Sequence, residues 1–133
     1  MEACEVLARW VENPLTFKYV SKLGEYTFEI DGKEVEESLY IDTEKTIADV
    51  VAAVVREIAK ELLNEEVCCE YDADIGNYID VRALQSDKVL FSVKVADVEE
   101  YKGDVTGYKA VWRPLKEIIK DTVEAVKGYK SAQ

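Results

Sequence analysis

Along this chain the spacing of apolar residues switches between the helical period and the every-second-residue period of a strand, and that switching limits the fold more than any other feature. Ala3, Leu7, Trp10 and Val11 share one helical face, with Glu2 and Glu5 near the positive end of the helix dipole and Asn13-Pro14 ending the segment. From Leu15 the strand period takes over: Leu15, Phe17 and Tyr19 alternate with polar residues, as do Tyr26, Phe28 and Ile30 beyond a turn at Lys22 to Gly24. Asp31-Gly32 then accepts the positive φ angles of a tight hairpin, and Val35, Leu39 and Ile41 continue the alternation. A three-stranded meander from Leu15 to Ile41 is predicted. Glu37 interrupts its apolar face, so the third strand is expected to carry a bulge or to lie at an edge.

Thr46 with Asp49 three residues later fits a capping box, and Ile47, Val50, Val51, Val54, Ile58 and Leu62 follow at helical spacing. Asp49, Glu57, Lys60 and Glu61 gather on the other side, so this helix should pack across the sheet. After Asn64, Val67, Cys69 and Tyr71 alternate, the turn residues Asp74, Gly76 and Asn77 follow, and Ile79, Val81 and Ala83 form the next strand. Val89, Phe91, Val93 and Val95 make another after Ser86-Asp87, with a polar face toward water. From Asp97 to Ala110 the pattern weakens around Gly103 and Gly107, which reads as a long loop with room for a short strand. Pro114 suits the first turn of a closing helix whose Leu115, Ile118, Ile119, Thr122 and Val126 share a face before Gly128. The expected architecture is one α+β domain over residues 1–133. It has a single antiparallel sheet of five to six strands in two meanders, packed with two to three helices in the order α-βββ-α-βββ-α.

Charge and cysteine usage narrow the function classes. The 28 acidic residues against 17 basic ones give a net charge of −11, which disfavours direct binding to nucleic acid or to anionic membranes. The longest uncharged apolar run, Val50 to Val55, falls far short of the roughly 20 residues of a membrane-spanning helix, and the N-terminal residues lack the basic and apolar regions of a signal peptide. Cys4, Cys68 and Cys69 are odd in number with two adjacent, which suits a reduced compartment and predicts no disulfide. A cytoplasmic location is expected. Few Asn and Gln residues beside abundant Glu, Lys and Val fit a heat-adapted source.

The sequence contains no histidine, which removes Ser-His-Asp and Cys-His catalysis and the commonest zinc ligand. Adjacent strand residues point to opposite faces, so Cys68 and Cys69 read as packing residues, with a strained vicinal disulfide or redox sensor as the alternative. Asp72-Ala-Asp74-Ile-Gly76 begins like a calcium loop, but its glycine comes one position early and Ala83 stands where the closing Glu belongs, so it reads as a turn. The acidic groups Glu34, Glu36 and Glu37, Glu65 and Glu66, and Glu99 and Glu100 read as solvated faces. No glycine-rich phosphate loop is present, so no nucleotide cofactor is expected, and no catalytic, metal or cofactor residue is assigned. The eight tyrosines and two tryptophans are more informative, because such rings are favoured at protein interfaces. Tyr101, Tyr108 and Trp112 are the candidate partner interface, against the plainer reading that they cover one end of the core.

The succession Ala3 to Val11, Leu15 to Ile41, Ile47 to Leu63, Val67 to Val95 and Leu115 to Val126, with small size and strong acidity, resembles type III secretion chaperones and related small bacterial proteins. The helix Ile47 to Leu63 is longer than the resemblance implies. It implies a dimer that holds partner polypeptides on apolar grooves. The expected function is a noncatalytic protein-binding module, homodimeric, presenting tyrosine-rich and apolar surface to a polypeptide. The alternatives are an acidic inhibitor or immunity-type protein that blocks a basic partner, and a small carboxylate-based enzyme. The enzyme requires a concave site with a perturbed carboxylate between sheet and helices.

Overall fold

The structure, a computed structural model, describes residues 2–72, 77–86 and 88–133. Among these residues the helices are α1 (Ala3–Trp10), α2 (Glu37–Leu63) and α3 (Leu115–Ser131). The strands are β1 (Leu15–Lys22), β2 (Glu25–Ile30), β3 (Lys33–Val35), β4 (Val67–Asp72), β5 (Tyr78–Ala83), β6 (Val89–Lys94), β7 (Ala96–Tyr101) and β8 (Thr106–Trp112). Every strand pairing is antiparallel, in one sheet of order β3-β2-β1-β8-β7 and a second of order β4-β5-β6. The α+β class and the succession of helices and meanders hold. The strands nevertheless divide between two sheets, and β7 and β8 occupy most of the stretch expected to be a loop.

The division occurs at one residue. β6 and β7 are successive parts of an extended segment broken only at Val95, whose N–H donates to the Asn77 carbonyl at 2.9 Å and whose own carbonyl accepts from Arg113 N–H at 2.9 Å. The segment thus leaves one sheet and enters the other with its backbone groups satisfied. β8 was obscured by its glycine. Gly107 has φ +149, and a Cβ there would lie 2.1 Å from the Tyr19 carbonyl oxygen, so this glycine permits a close approach of β8 to β1.

The central helix begins earlier than its capping signal suggests. Leu39 and Ile41 lie in α2 rather than in a third strand, Glu37 is its first residue rather than a bulge, and Thr46 is internal, with Oγ1 donating to the Asp42 carbonyl at 2.8 Å. Burial explains the extension: Tyr40, Thr43, Ile47, Val51, Val55 and Ala59 form one buried line at helical spacing. Asn64 ends the helix in the left-handed conformation, φ 55 and ψ 40. The hairpin predicted at Asp31-Gly32 has φ of 50 and 80 at its two central residues, as a type I′ turn needs.

In α1 the buried residues are Val6 and Trp10, whereas Val11 is exposed, so the helix is rotated from the expected face. Trp10 Nε1 donates to the Arg113 carbonyl at 2.8 Å, fixing α1 to the end of β8, and Arg9 pairs with Asp31 in the β2–β3 turn. The C-terminal half of α2 and α3 cover the three-stranded sheet, where Val67, Ile79, Val81 and Val93 are buried with Ile118, Thr122 and Val126. Of the calcium-like segment Asp72 to Gly76, residues 73–76 lie outside the described residues, as does Asp87 of the Ser86-Asp87 turn. Among the described residues no helix is long and apolar enough to cross a membrane.

Candidate functional site

The inner face of the five-stranded sheet is set by register. Leu15, Trp112 and Ala96 lie side by side across β1, β8 and β7, followed by Phe17, Ala110 and Val98, and then by Tyr19, Tyr108 and Glu100. The first turns of α2 lie over this face, with Phe17 and Tyr40 ring centroids 5.4 Å apart at 83° and Phe28 and Tyr40 5.1 Å apart. Ile41, Glu44, Lys45 and Ala48 project on the side of α2 toward β8 and β7. They enclose with that sheet a cavity of about 560 Å³, within the range of small-ligand sites.

Glu44 and Tyr108 meet at the wall of this cavity. The Tyr108 hydroxyl donates to Glu44 Oε1 at 2.5 Å. Loss of hydration raises the Glu44 pKa above the usual carboxylate range, opposed in part by that hydrogen bond. The Tyr108 phenol is pushed well above its ordinary value, first by burial and then by its hydrogen bonds and the neighbouring carboxylate. Tyr40 is raised in the same direction, again chiefly by burial, and its buried hydroxyl faces Tyr108 without a hydrogen bond of regular geometry. Both phenols therefore stay neutral at physiological pH.

From this cavity a line of rings extends across the sheet. Tyr108 meets Tyr19 edge to face with centroids 4.7 Å apart, Tyr19 lies 6.0 Å from Phe28, and Phe28 stacks with Tyr26 at 6.3 Å and 14°. Tyr40 of α2 covers part of Phe28, but Tyr26 is 64% exposed. The rings thus pass from a half-buried end at Tyr108 to an open end on β2. A larger surface trough of about 930 Å³ lies between α1 and β3, but Glu5, Arg9, Lys33, Glu34 and Glu36 supply both signs of charge there and no aromatic ring lines it.

The three candidate interface residues do not act together. Tyr108 stands at the junction of the cavity and the line of rings, and Trp112 lines the cavity while only 1% exposed, which makes it part of the core. Tyr101 lies on the opposite face, where Lys18 Nζ sits 5.5 Å from its ring centroid. That outer face carries a charged row in register, Glu34, Glu29, Lys18, Lys109 and Glu99, across all five strands, so this sheet has one polar side.

Compared with known proteins, the chain matches no family model, no curated protein and no solved structure.

Sequence reasoning missed Glu44, Lys45, Ile41 and Tyr19 as site residues. Glu44 lies in the polar run just before the Thr46 capping signal, and only the continued helical spacing from Tyr40 through Glu44 to Ala48 signals its position. The pair Glu99 and Glu100 splits between faces, and Glu100 lines the cavity. Among the described residues no group of three or more candidate metal ligands gathers. Cys4 is exposed and Cys69 packs partly buried against the core, while the Cys68 side chain lies outside the described residues.

Proposed function

We propose that this protein is a noncatalytic protein-binding module that receives a polypeptide segment along Tyr26, Phe28, Tyr19 and Tyr108 and into the cavity beside α2. The observation that carries this reading is the continuous line of four rings, open at Tyr26 and closed at Tyr108. Rings with polar tips give large contact area with little loss of side-chain freedom, which is why they dominate the energetics of interfaces. Ile41, 49% exposed beside the cavity, extends the apolar surface. A chaperone-like or adaptor role, as a cytoplasmic homodimer, is the form of this reading that the element order favours.

The test is capture of a partner from source lysate at low and high salt with wild-type bait and with the Tyr26→Ala and Tyr19→Ala variants, each variant first shown to be folded. A partner retained at high salt and lost with both variants supports the reading. Capture that is indifferent to the variants counts against it, and a basic partner released by salt points to the acidic inhibitor instead.

A small carboxylate-based enzyme is favoured by one observation, the desolvated Glu44 in a concave site. Its immediate partner is Tyr108, a phenol held further from ionisation than usual, so the pair offers no second group able to exchange a proton near neutrality. The binding reading is therefore preferred.

A further inference from the structure

The cavity beside α2 carries charge that an apolar anchor would not need. Glu44 is partly buried, yet among the described residues its carboxylate receives one hydrogen bond, from the neutral Tyr108 hydroxyl onto Oε1. An ionised carboxylate accepts about four hydrogen bonds, so the desolvated oxygens are under-supplied. Among the described residues no ion pair reaches Glu44, and Lys45, which lines the same cavity, is exposed and forms none either. Glu100, directly across from Tyr108 on β7, adds a second carboxylate at the exposed edge of the cavity, where it pairs loosely with Lys102 at 3.7 Å. Tyr19, Tyr108 and Trp112 line the same space with Ile41 and Val98.

We infer that this cavity takes an organic cation, a guanidinium or ammonium group on an apolar stem, with its charged head at Glu44 and Glu100 and its stem against Tyr19, Tyr108 and Trp112. The inference rests on the binding reading above and names the chemistry of what enters the cavity. An anion meets two carboxylates there against the one ammonium of Lys45, and a neutral apolar group leaves Glu44 with the Tyr108 hydroxyl and no counter-charge. A cation supplies charge-assisted hydrogen bonds to the carboxylates and is attracted by the ring faces. The volume of about 560 Å³ accommodates an arginine side chain or an arylalkylamine. The net charge of −11 raises the local concentration of cations around the whole molecule. The cation has two sources, a basic side chain of the partner segment or a free amine.

The test is a titration of ¹⁵N-labelled protein at pH 7 with four probes. These are phenethylamine and its neutral counterpart phenethyl alcohol, and the capped peptide Tyr-Arg-Tyr and its citrulline counterpart, followed at the amides of Glu44, Glu100, Tyr108 and Ala110. At least one cation should shift these amides and bind about tenfold more tightly than its neutral counterpart, the loss expected for one charge-assisted hydrogen bond. The Glu44→Gln and Glu100→Gln variants, whose amides keep an acceptor in place, should lose that preference while keeping their folds and their affinity for the neutral probe. A tighter arginine peptide identifies a partner side chain as the source, and a tighter amine identifies a free ligand. Equal affinity for charged and neutral probes would overturn the cation while leaving the aromatic surface in place, as would a preference that survives both variants. Silence of the cavity amides toward all four probes would overturn it too, and partner capture dependent on Tyr26 and Tyr19 would then show that the binding reading stands without it.

Discussion

Over the three-stranded sheet, α2 contributes Val51, Val55 and Ala59, and α3 lies beside it with Ile118 and Val126, so that end of the molecule is closed by two helices around a fully buried layer that is aliphatic, with the ring pair Phe91 and Tyr129 at its margin. Over the five-stranded sheet the same helix contributes Tyr40, Thr43 and Glu44, and among the described residues no second helix covers the span from Tyr108 to Tyr26. One end is packed closed around buried Val67, Ile79, Val81 and Val93, and the other leaves a cavity and a line of half-buried rings. Stability should therefore be concentrated at the aliphatic end and recognition at the aromatic one, because a surface that must accept a partner cannot also be fully packed.

The comparison can be broken by substitutions at both ends. Ile79→Ala removes a fully buried side chain beneath α2 and α3 and should destabilise the fold by about 3–4 kcal/mol, read as a lower urea midpoint with unchanged slope. A loss under about 1 kcal/mol would show that the aliphatic end is not the stable one. Gly107→Ala tests the boundary of the aromatic end: its Cβ meets the Tyr19 carbonyl and its φ is strained for any other residue, so a loss of about 2–3 kcal/mol is expected in the same assay. The variant should also disturb the ring current that Tyr108 and Tyr19 exert on each other, visible in aromatic proton shifts.

Glu44→Gln should act in the opposite direction. The folded protein raises the Glu44 pKa, so the native state holds that proton more tightly than the unfolded chain. The stabilisation associated with the protonated form is complete below the unfolded carboxyl pKa of about 4.3 and is lost as pH rises through the higher folded value. Tyr108 and Tyr40 face Glu44 as neutral phenols, and Lys45 and Glu100 are the charged groups that share its cavity. The glutamine variant lacks this titration, so it should exceed wild type by up to about 1 kcal/mol at pH 7, with the advantage vanishing near pH 3. An advantage that is independent of pH would show that desolvation of the carboxylate is not its origin. The smallest effect on stability belongs to Tyr26→Ala, within about 0.5 kcal/mol, because the ring is exposed and contacts Phe28 alone among the aromatic side chains of the stripe.

What could be read from the sequence follows the same divide. The closing helix, with Ile118, Thr122 and Val126 buried, and the strands holding Ile79, Val81 and Val93 were legible because their apolar residues keep one period without interruption. At the aromatic end the buried line of α2 begins with Tyr40 and Thr43, two residues that do not read as an apolar stripe, and the polar run from Asp42 to Lys45 resembles a loop before a cap. β8 alternates faithfully through Tyr108, Ala110 and Trp112, but Gly107 beside them suggested irregular backbone when its purpose is close contact with β1. The candidate site was the least legible part, since Glu44 acquires its character only when a strand from far along the chain brings Tyr108 against it. Of the three residues singled out, Tyr108 lies in the site, Trp112 forms its buried wall, and Tyr101 belongs to the other face.

Val95 ties the two ends into one alignment problem. Along the regular part of the ladder, Tyr78 to Val81 against Phe91 to Lys94, a two-residue slip of β6 keeps side chains on their own faces, and an isolated three-stranded sheet would tolerate it more readily than a one-residue slip. Here β6 runs through Val95 directly into β7, so the same slip drags Ala96, Val98 and Glu100 along β8 and detaches Val95 from Asn77 and Arg113 together. Neither sheet can settle into an incorrect pairing without spoiling the other, and the correct threading of the aliphatic sheet is thereby what places Glu100 opposite Tyr108.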